Sequence, residues 1–224
     1  MSDARQSARR AVVACGLRLV AEGIVHATAG NLSSRVAGEP GVIAMTPTAT
    51  PYDGLTPGDI CIVTTAGEQL AGSRAPTSEL PLHTLLYARR PEVGAIIHTH
   101  SPAAMTLAVL GWRLPAILTG LVEAVGGDVR LTPYTRPGTE AMVDVAQAAL
   151  CDRGACLLGH HGLIAIGADL PRAFRAASVT EATARVYLDA RVHATAVSSL
   201  SEEEIAVIAT AWRAQWAAVP GVAL

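Results

Sequence analysis

The sequence Val93-Gly94-Ala95-Ile96-Ile97-His98-Thr99-His100 joins a short apolar run to two histidines. An apolar run of this length, rich in β-branched residues, is typical of a buried strand. Side chains two residues apart on a strand project from the same face, so both imidazoles are expected to point the same way. This arrangement suits metal ligands, although taken alone it is equally compatible with two hydrogen-bonded structural histidines.

A second histidine segment, His160-His161-Gly162, follows a predicted strand over Ala155 to Leu158, and the β pattern resumes from Leu163 to Ile166. The glycine allows close approach of the backbone, so a third imidazole can converge on the same point. Three histidine ligands leave a coordination position open, as catalytic zinc sites do. The pattern therefore indicates a metal that acts as a Lewis acid.

Glu79 is the candidate acid/base group. Thr77 and Ser78 are good N-cap residues, and they predict a helix that begins near Thr77 and ends before Pro91. A carboxylate near a helix start is favoured by the helix dipole, so Glu79 is equally compatible with an ordinary first-turn glutamate. His83 lies one turn further along the same face, where a supporting or packing role is expected rather than metal ligation.

The remaining pattern interleaves helices and strands. This interleaving predicts an α/β sandwich with helices on both faces of a sheet, in one domain over residues 1–224. Strands are expected between Asn31 and Val63, and a capping box at Ser201 and Glu204 begins the last helix. Further helices are predicted over Ala4 to Glu22, after Ser101-Pro102, over Glu140 to Leu150, and over Pro171 to Val192.

Composition excludes several kinds of chemistry. The net charge of −2, without blocks of like charge, predicts neither a nucleic-acid partner nor a membrane partner. No apolar run is long enough to span a bilayer and no signal peptide is visible, so a soluble, cytoplasmic protein is expected. The 224 residues contain no lysine, which excludes a Schiff-base mechanism and a Walker-type phosphate loop.

Five motifs occur along the chain in a fixed order: Gly30-Asn31-Leu32-Ser33, Thr46-Pro47-Thr48-Ala49, Pro76-Thr77-Ser78-Glu79, His98-Thr99-His100 and His160-His161-Gly162. Their types and order resemble those of the class II aldolase/adducin family, and within it most closely the L-fuculose 1-phosphate type of aldolase. The resemblance runs from about Ala21 to Ile205, so it covers nearly the whole chain.

The resemblance implies a three-layer α/β/α sandwich with a central mixed or antiparallel sheet, assembled as a homotetramer with active sites at the subunit interfaces. It also implies one Zn²⁺ per subunit, held by His98, His100 and His161 and, in the free enzyme, by Glu79, which then shuttles the substrate proton. Imidazole and carboxylate ligands also suit Mn²⁺, Fe²⁺ or Co²⁺. The residues that match the family's phosphate pocket are Gly30, Asn31, Thr48, Ala49, Thr77 and Ser78, whose types are equally those of ordinary turns.

The implied reaction is reversible cleavage of a ketose 1-phosphate to dihydroxyacetone phosphate and an aldehyde. Decarboxylation of a sugar-acid phosphate and a non-catalytic binding module like the adducin head are the alternatives. The sequence departs from the fuculose type at Thr119, where that type has a tyrosine, and at Ala49, where it has a glycine. Glu123 is a weak candidate to replace the tyrosine, and Trp212, Trp216 and Pro220-Gly221 also differ.

Overall fold

The computed structural model describes residues 2–217 of the chain, and Pro220-Gly221 lies outside them. Seven α-helices and eight strands are present in this range. The helices are α1 (Asp3–Ala21), α2 (Leu80–Arg89), α3 (Pro102–Leu110), α4 (Thr119–Val125), α5 (Glu140–Leu150), α6 (Leu170–His193) and α7 (Glu202–Ala217). The strands are β1 (Asn31–Arg35), β2 (Val42–Met45), β3 (Cys61–Thr64), β4 (Gln69–Ala71), β5 (Ala95–Thr99), β6 (Arg130–Leu131), β7 (Ala155–Leu158) and β8 (Gly162–Gly167).

All eight strands form one mixed sheet in the order β4-β3-β2-β1-β5-β8-β7-β6. Every neighbouring pair is antiparallel except β6 and β7, which run parallel. The histidine-bearing strand β5 lies in the middle of the sheet, between β1 and β8. His98 pairs with Asn31 on β1 and with Ile164 on β8. The central position fixes the backbone of β5 on both edges.

Alternating residues of the sheet enter two separate cores. Leu32, Ile97 and Ala165 pack with α1, α3, α4 and α6 on one face. Ile96 and Ile164 pack on the other face with α2, α5 and the two tryptophans of α7. Helices thus cover both faces, which confirms the predicted three-layer α/β/α fold. The extent of the domain over residues 1–224 stays a prediction.

The predicted helices are confirmed, with α5 and strand β7 at their predicted bounds. One boundary differs: α2 begins at Leu80 rather than near Thr77, with Glu79 at its N-cap. The cause is tertiary, because the backbone N–H of Thr77 donates to the carbonyl of Thr46 at 3.2 Å and holds this segment extended. The short strands β4 and β6 were not predicted, because two or three residues carry no periodic signal.

No helix within residues 2–217 is both long enough and apolar enough to cross a membrane.

Candidate metal centre

Three histidine rings meet at one end of the central strands. His98 lies on β5, His100 is one residue beyond its end, and His161 immediately precedes β8. The ring centroids are 4.8 Å apart for His98–His100, 4.8 Å for His98–His161 and 5.0 Å for His100–His161. One nitrogen from each ring lies within 4.8 Å of the others, so the three form a donor set that a divalent metal suits. The predicted convergence of the third imidazole is confirmed.

Gly162 permits this convergence because the chain has no space there for a side chain. A Cβ at this position would lie 2.4 Å from the carbonyl oxygen of Thr99 and 3.0 Å from Cδ2 of His100. His160, two residues before Gly162, has a φ of 54° in the left-handed region and turns the chain there. The close approach predicted from the His-His-Gly motif therefore has a definite steric basis.

Glu79 faces the histidines from the N-cap of α2 and is 7% exposed. Its Oε2 lies 3.1 Å from Nε2 of His98, and its Oε1 lies 3.6 Å from Nε2 of His161. The side-chain amide of Asn31 donates to Oε2 at 2.8 Å. The carboxylate turns towards the sheet and makes no capping bond, so its contacts differ from those of an ordinary first-turn glutamate.

The hydrogen bond and the burial of His98 determine which of its ring nitrogens carries a hydrogen. Its Nδ1 is 2.9 Å from the carbonyl oxygen of Leu163, which can only accept, so Nδ1 carries the hydrogen. Burial lowers the pKa of His98 to about 3, so the ring is neutral at pH 7 and Nε2 presents a lone pair. The contact between this nitrogen and Glu79 is consequently not an ion pair. An imidazole lone pair and a carboxylate oxygen face one another without a proton between them.

A bound cation satisfies such a set of converging acceptors. Among the described residues, Oε1 of Glu79 is buried without a hydrogen-bond partner and lies 3.6 Å from Nε2 of His161. Buried polar groups are normally paired, so each unpaired one needs an explanation. The carboxylate and the three imidazoles fit a divalent metal by their chemistry and by this missing partner.

Opposing effects act on the pKa of Glu79. Burial raises it, whereas the neighbouring histidine rings, once protonated at low pH, and the hydrogen bond from Asn31 lower it, and the net pKa lies below the usual value. The carboxylate is therefore ionised where it faces the histidines. Burial also lowers the pKa of His100, which keeps that ring neutral and available as a ligand.

The loops predicted to bind phosphate lie beside the metal centre. Gly30 has a φ of 80°, and a Cβ there would lie 2.4 Å from the carbonyl oxygen of His98. The hydroxyl of Thr77 accepts a hydrogen bond from the backbone N–H of Glu79 at 3.3 Å. The backbone N–H of Thr48 donates to the carbonyl of Ala75 at 3.0 Å, so the two loops run side by side.

Three of the phosphate-pocket candidates, Thr48, Ala49 and Ser78, are exposed, whereas Asn31 and Thr77 are buried. The structure thus brings Gly30, Asn31 and Thr77 into contact with the histidine strand or Glu79. Phosphate binding by these residues stays a prediction.

Two further candidates lie on α4. Thr119 is its first residue and is exposed, and Glu123 forms an exposed ion pair with Arg175 at 2.8 Å. The carboxylate of Glu123 therefore faces α6, and nothing in its contacts supports the role of a replacement for tyrosine. Trp212 and Trp216 are buried core residues with ring centroids 5.7 Å apart.

Sequence reasoning missed the carboxylate of Glu181 on α6. Its two oxygens accept from the backbone N–H groups of Ala103 and Ala104 at 2.9 Å each, in the first turn of α3. The N-cap residue Ser101 makes no side-chain capping bond, so Glu181 takes its place just after His100. Nothing local in the sequence signals a cap that arrives from about eighty residues away.

Comparison with known proteins agrees with this geometry. The model of the family "Class II Aldolase and Adducin N-terminal domain" matches residues 10–188. The chain is 38% identical over 182 residues to the 5-deoxy-D-ribulose 1-phosphate aldolase of Bacillus thuringiensis serovar kurstaki, covering 81% of this chain and 84% of that protein. It is 37% identical over 187 residues to the 5-methylthioribulose-1-phosphate/5-deoxyribulose-1-phosphate aldolase of Rhodospirillum rubrum, covering 84% and 83% of the two chains.

Among solved structures, an L-fuculose 1-phosphate aldolase superposes with a TM-score of 0.87 at 30% identity, covering 95% of this chain and 98% of the other. The similarity is thus not confined to fuculose-type enzymes, although these are also similar. The matched range, residues 10–188, includes all three histidines and Glu79. The chain therefore belongs to the class II aldolase and adducin N-terminal domain family, as a metal-dependent class II aldolase.

Proposed function

We propose that this protein reversibly cleaves a ketose 1-phosphate into dihydroxyacetone phosphate and an aldehyde. Zn²⁺ is the proposed metal, held by His98, His100, His161 and Glu79. The observation that carries the proposal is the convergence of the three histidines on Glu79, where the Nε2 lone pair of the buried His98 lies 3.1 Å from a carboxylate oxygen of Glu79. The names of the sugar-phosphate aldolases to which the chain is similar support the choice of substrate class.

The bound metal would supply Lewis-acid polarisation of the substrate carbonyl, which favours cleavage of the neighbouring carbon–carbon bond. Glu79 would exchange the proton on the carbon released by that cleavage. Its lowered pKa keeps it ionised beside the histidines, so it is ready to accept a proton. Once the carboxylate moves away from His98 and Asn31, burial alone would act on it and raise its pKa, which suits the return of that proton.

A chain without lysine needs other groups to bind the phosphate. Backbone N–H groups near Gly30 and Ala49, together with the Asn31 amide and the hydroxyls of Thr48 and Ser78, are the proposed donors. Thr77 is also assigned to the proposed phosphate pocket, because its hydroxyl contacts the backbone N–H of Glu79 beside the exposed Ser78. In this arrangement the phosphate would lie at the exposed loops and the reacting carbons at the three histidines.

The choice of ketose is proposed from the relatives to which the chain is similar. An L-fuculose 1-phosphate-like substrate would release a hydroxylated aldehyde, and 5-deoxyribulose 1-phosphate would release acetaldehyde. Similarity to 5-deoxyribulose 1-phosphate aldolases at 38% and 37% identity favours the second candidate. A panel of both ketose phosphates, scored for the released aldehyde, separates the two candidates. Adding a 3-oxo sugar-acid phosphate to the panel and scoring carbon dioxide tests the decarboxylase alternative.

A homotetramer with active sites at subunit interfaces is proposed as well. The apolar side chains of Val109 and Leu110 at the end of α3 are 62% and 47% exposed. They lie next to His160, whose backbone N–H is 3.5 Å from the carbonyl of Ala108 and whose ring is 6.3 Å from that of Tyr134. Exposed apolar side chains so near the metal centre suit coverage by a second chain. Light scattering would measure the assembly, and a monomer at assay concentration would contradict it.

Glu79→Gln tests the acid/base role. The amide keeps nearly the same shape but does not accept the proton, so kcat for the ketose phosphate should fall by about a hundredfold or more. Metal content should stay near that of the wild-type protein, because the histidines remain. Glu123→Gln is the comparison variant. If it abolishes turnover while Glu79→Gln retains it, the assignment of the acid/base group is wrong.

A further inference from the structure

A continuous line of hydrogen bonds leads to Glu79 from the interior of the core that lies between the sheet and α2 and α5. The hydroxyl oxygens of Tyr87 and Ser33 are 2.9 Å apart, and Oγ of Ser33 is 2.6 Å from Nδ1 of His83. Nε2 of His83 is 2.5 Å from Oδ1 of Asn31, whose Nδ2 donates to Glu79 at 2.8 Å. All five residues are buried. We refer to these five residues as the hydrogen-bond chain.

Two periodicities place these side chains together. Asn31 and Ser33 are two residues apart on β1, so they share the face of the sheet that α2 covers. Glu79, His83 and Tyr87 are spaced by four residues along α2, from its N-cap onwards, so they lie on one side of the helix. The chain therefore forms along the whole contact between one strand and one helix.

The charge of Glu79 sets the position of every proton in the chain. An ionised carboxylate only accepts, so Asn31 must direct its NH₂ group at Glu79 and its oxygen at His83. Nε2 of His83 must then carry a hydrogen. Burial lowers the pKa of His83 to about 4, so the ring is neutral at pH 7 and its Nδ1 accepts from Ser33. The oxygen of Ser33 in turn accepts from the hydroxyl of Tyr87.

We propose that His83 is a positioning residue, whose Nε2–H holds the Asn31 amide in the one orientation that donates to Glu79. Without that donor, the Asn31 amide is free to turn its oxygen towards the carboxylate, where two acceptors repel one another. The second N–H of Asn31 is then available to the substrate phosphate. This consequence rests on the proposed function, whereas the proton positions do not.

The tautomer of His83 gives a test that needs no turnover. Wild-type protein loaded with Zn²⁺ and labelled with ¹⁵N in histidine is measured by NMR near neutral pH, and the His83 signals are assigned by their loss in His83→Gln. The expected result is a neutral ring with hydrogen on Nε2 and none on Nδ1. A neutral ring with hydrogen on Nδ1 and none on Nε2 would overturn the proposal even if the protein is a fully active aldolase.

Variants test the consequence for activity. His83→Phe keeps the ring volume but removes the donor, so kcat should fall by about ten- to a hundredfold with metal content retained, as is typical when a residue supporting a metal site is lost. His83→Gln places an amide N–H near the former Nε2 and should restore most of that loss. Rescue by glutamine is a result that a purely structural role for the histidine ring does not produce.

Thr84→Val is the matched control on the same helix. It removes a buried hydroxyl that donates to the carbonyl of Leu80 at 2.9 Å, outside the hydrogen-bond chain. This variant should lower the unfolding temperature but leave kcat unchanged. Equal kcat values for His83→Gln and His83→Phe in folded protein would contradict the proposal. Wild-type protein that cleaves no ketose phosphate would contradict only the proposed function, because the NMR result stands independently.

Discussion

The histidine triad (His98, His100 and His161) and the loop residues beside it (Thr48, Ala49 and Ser78) differ in how the fold holds them. His98 is fully buried on a strand with neighbours on both edges, whereas the loop residues are exposed. Only a few backbone hydrogen bonds connect the two loops. The sheet thus fixes the histidine triad in place, whereas the loops proposed to bind the substrate's phosphate lie at the exposed surface.

The largest expected effect comes from breaking the triad itself. His98→Ala should lower kcat/KM by about a thousandfold or more and reduce bound metal, because Lewis-acid catalysis contributes several kcal/mol. Metal analysis and a coupled assay for dihydroxyacetone phosphate measure both quantities. His160→Asn is the control, since asparagine tolerates the left-handed backbone at this neighbouring histidine. Equal losses in the two variants would show that the triad has no special role.

Gly162→Ala should damage the triad without removing a ligand. The added methyl group would lie 2.4 Å from the Thr99 carbonyl, which should lower the free energy of unfolding by about 1–3 kcal/mol. Displacement of the histidine rings should also weaken metal binding by roughly ten- to a hundredfold. Gly120→Ala is the control, because no atom lies within 4 Å of a Cβ at that position. Unchanged metal affinity in Gly162→Ala would refute the steric argument.

A change in the loops should affect substrate binding alone. Ser78→Ala removes a proposed donor to phosphate, and KM should rise by roughly tenfold, since a hydrogen bond to a charged group contributes about 1.5–3 kcal/mol. Metal content should not change. Ser73→Ala, in the exposed segment before it, should leave both quantities as they are. A fall in metal content for Ser78→Ala would end the distinction between triad and loops.

The smallest effect is expected at Ala49, whose φ of 47° lies in the left-handed region. Ala49→Gly relieves that strain at the cost of a more flexible unfolded chain, so the free energy of unfolding should rise by only about 0.5 kcal/mol. Urea unfolding measures the change. Ala75→Gly in the facing loop, where φ is not positive, should lower stability instead. A stability loss in both variants would mean that Ala49 is not strained.

The layers of the fold and the histidines of the metal centre could be predicted from the sequence. Apolar periodicity located the long helices and central strands, because burial of one face demands it. The spacing of His98 and His100 and the glycine after His161 indicated convergence, since strand geometry and backbone approach are local properties. The family motifs added a role for Glu79, which the local pattern alone makes equally compatible with an ordinary helix-start residue.

The contacts that hold the metal centre and the helix ends in place depend on the tertiary structure. The start of α2 moved to Leu80 because a distant backbone carbonyl pairs with Thr77. The cap from Glu181 and the contact between Asn31 and Glu79 join residues that are far apart in sequence. Contacts of this kind depend on which surfaces pack against one another, and no local pattern records that choice. The protonation of His98 and Glu79 followed for the same reason, because burial and neighbouring dipoles set the charge of an ionisable group.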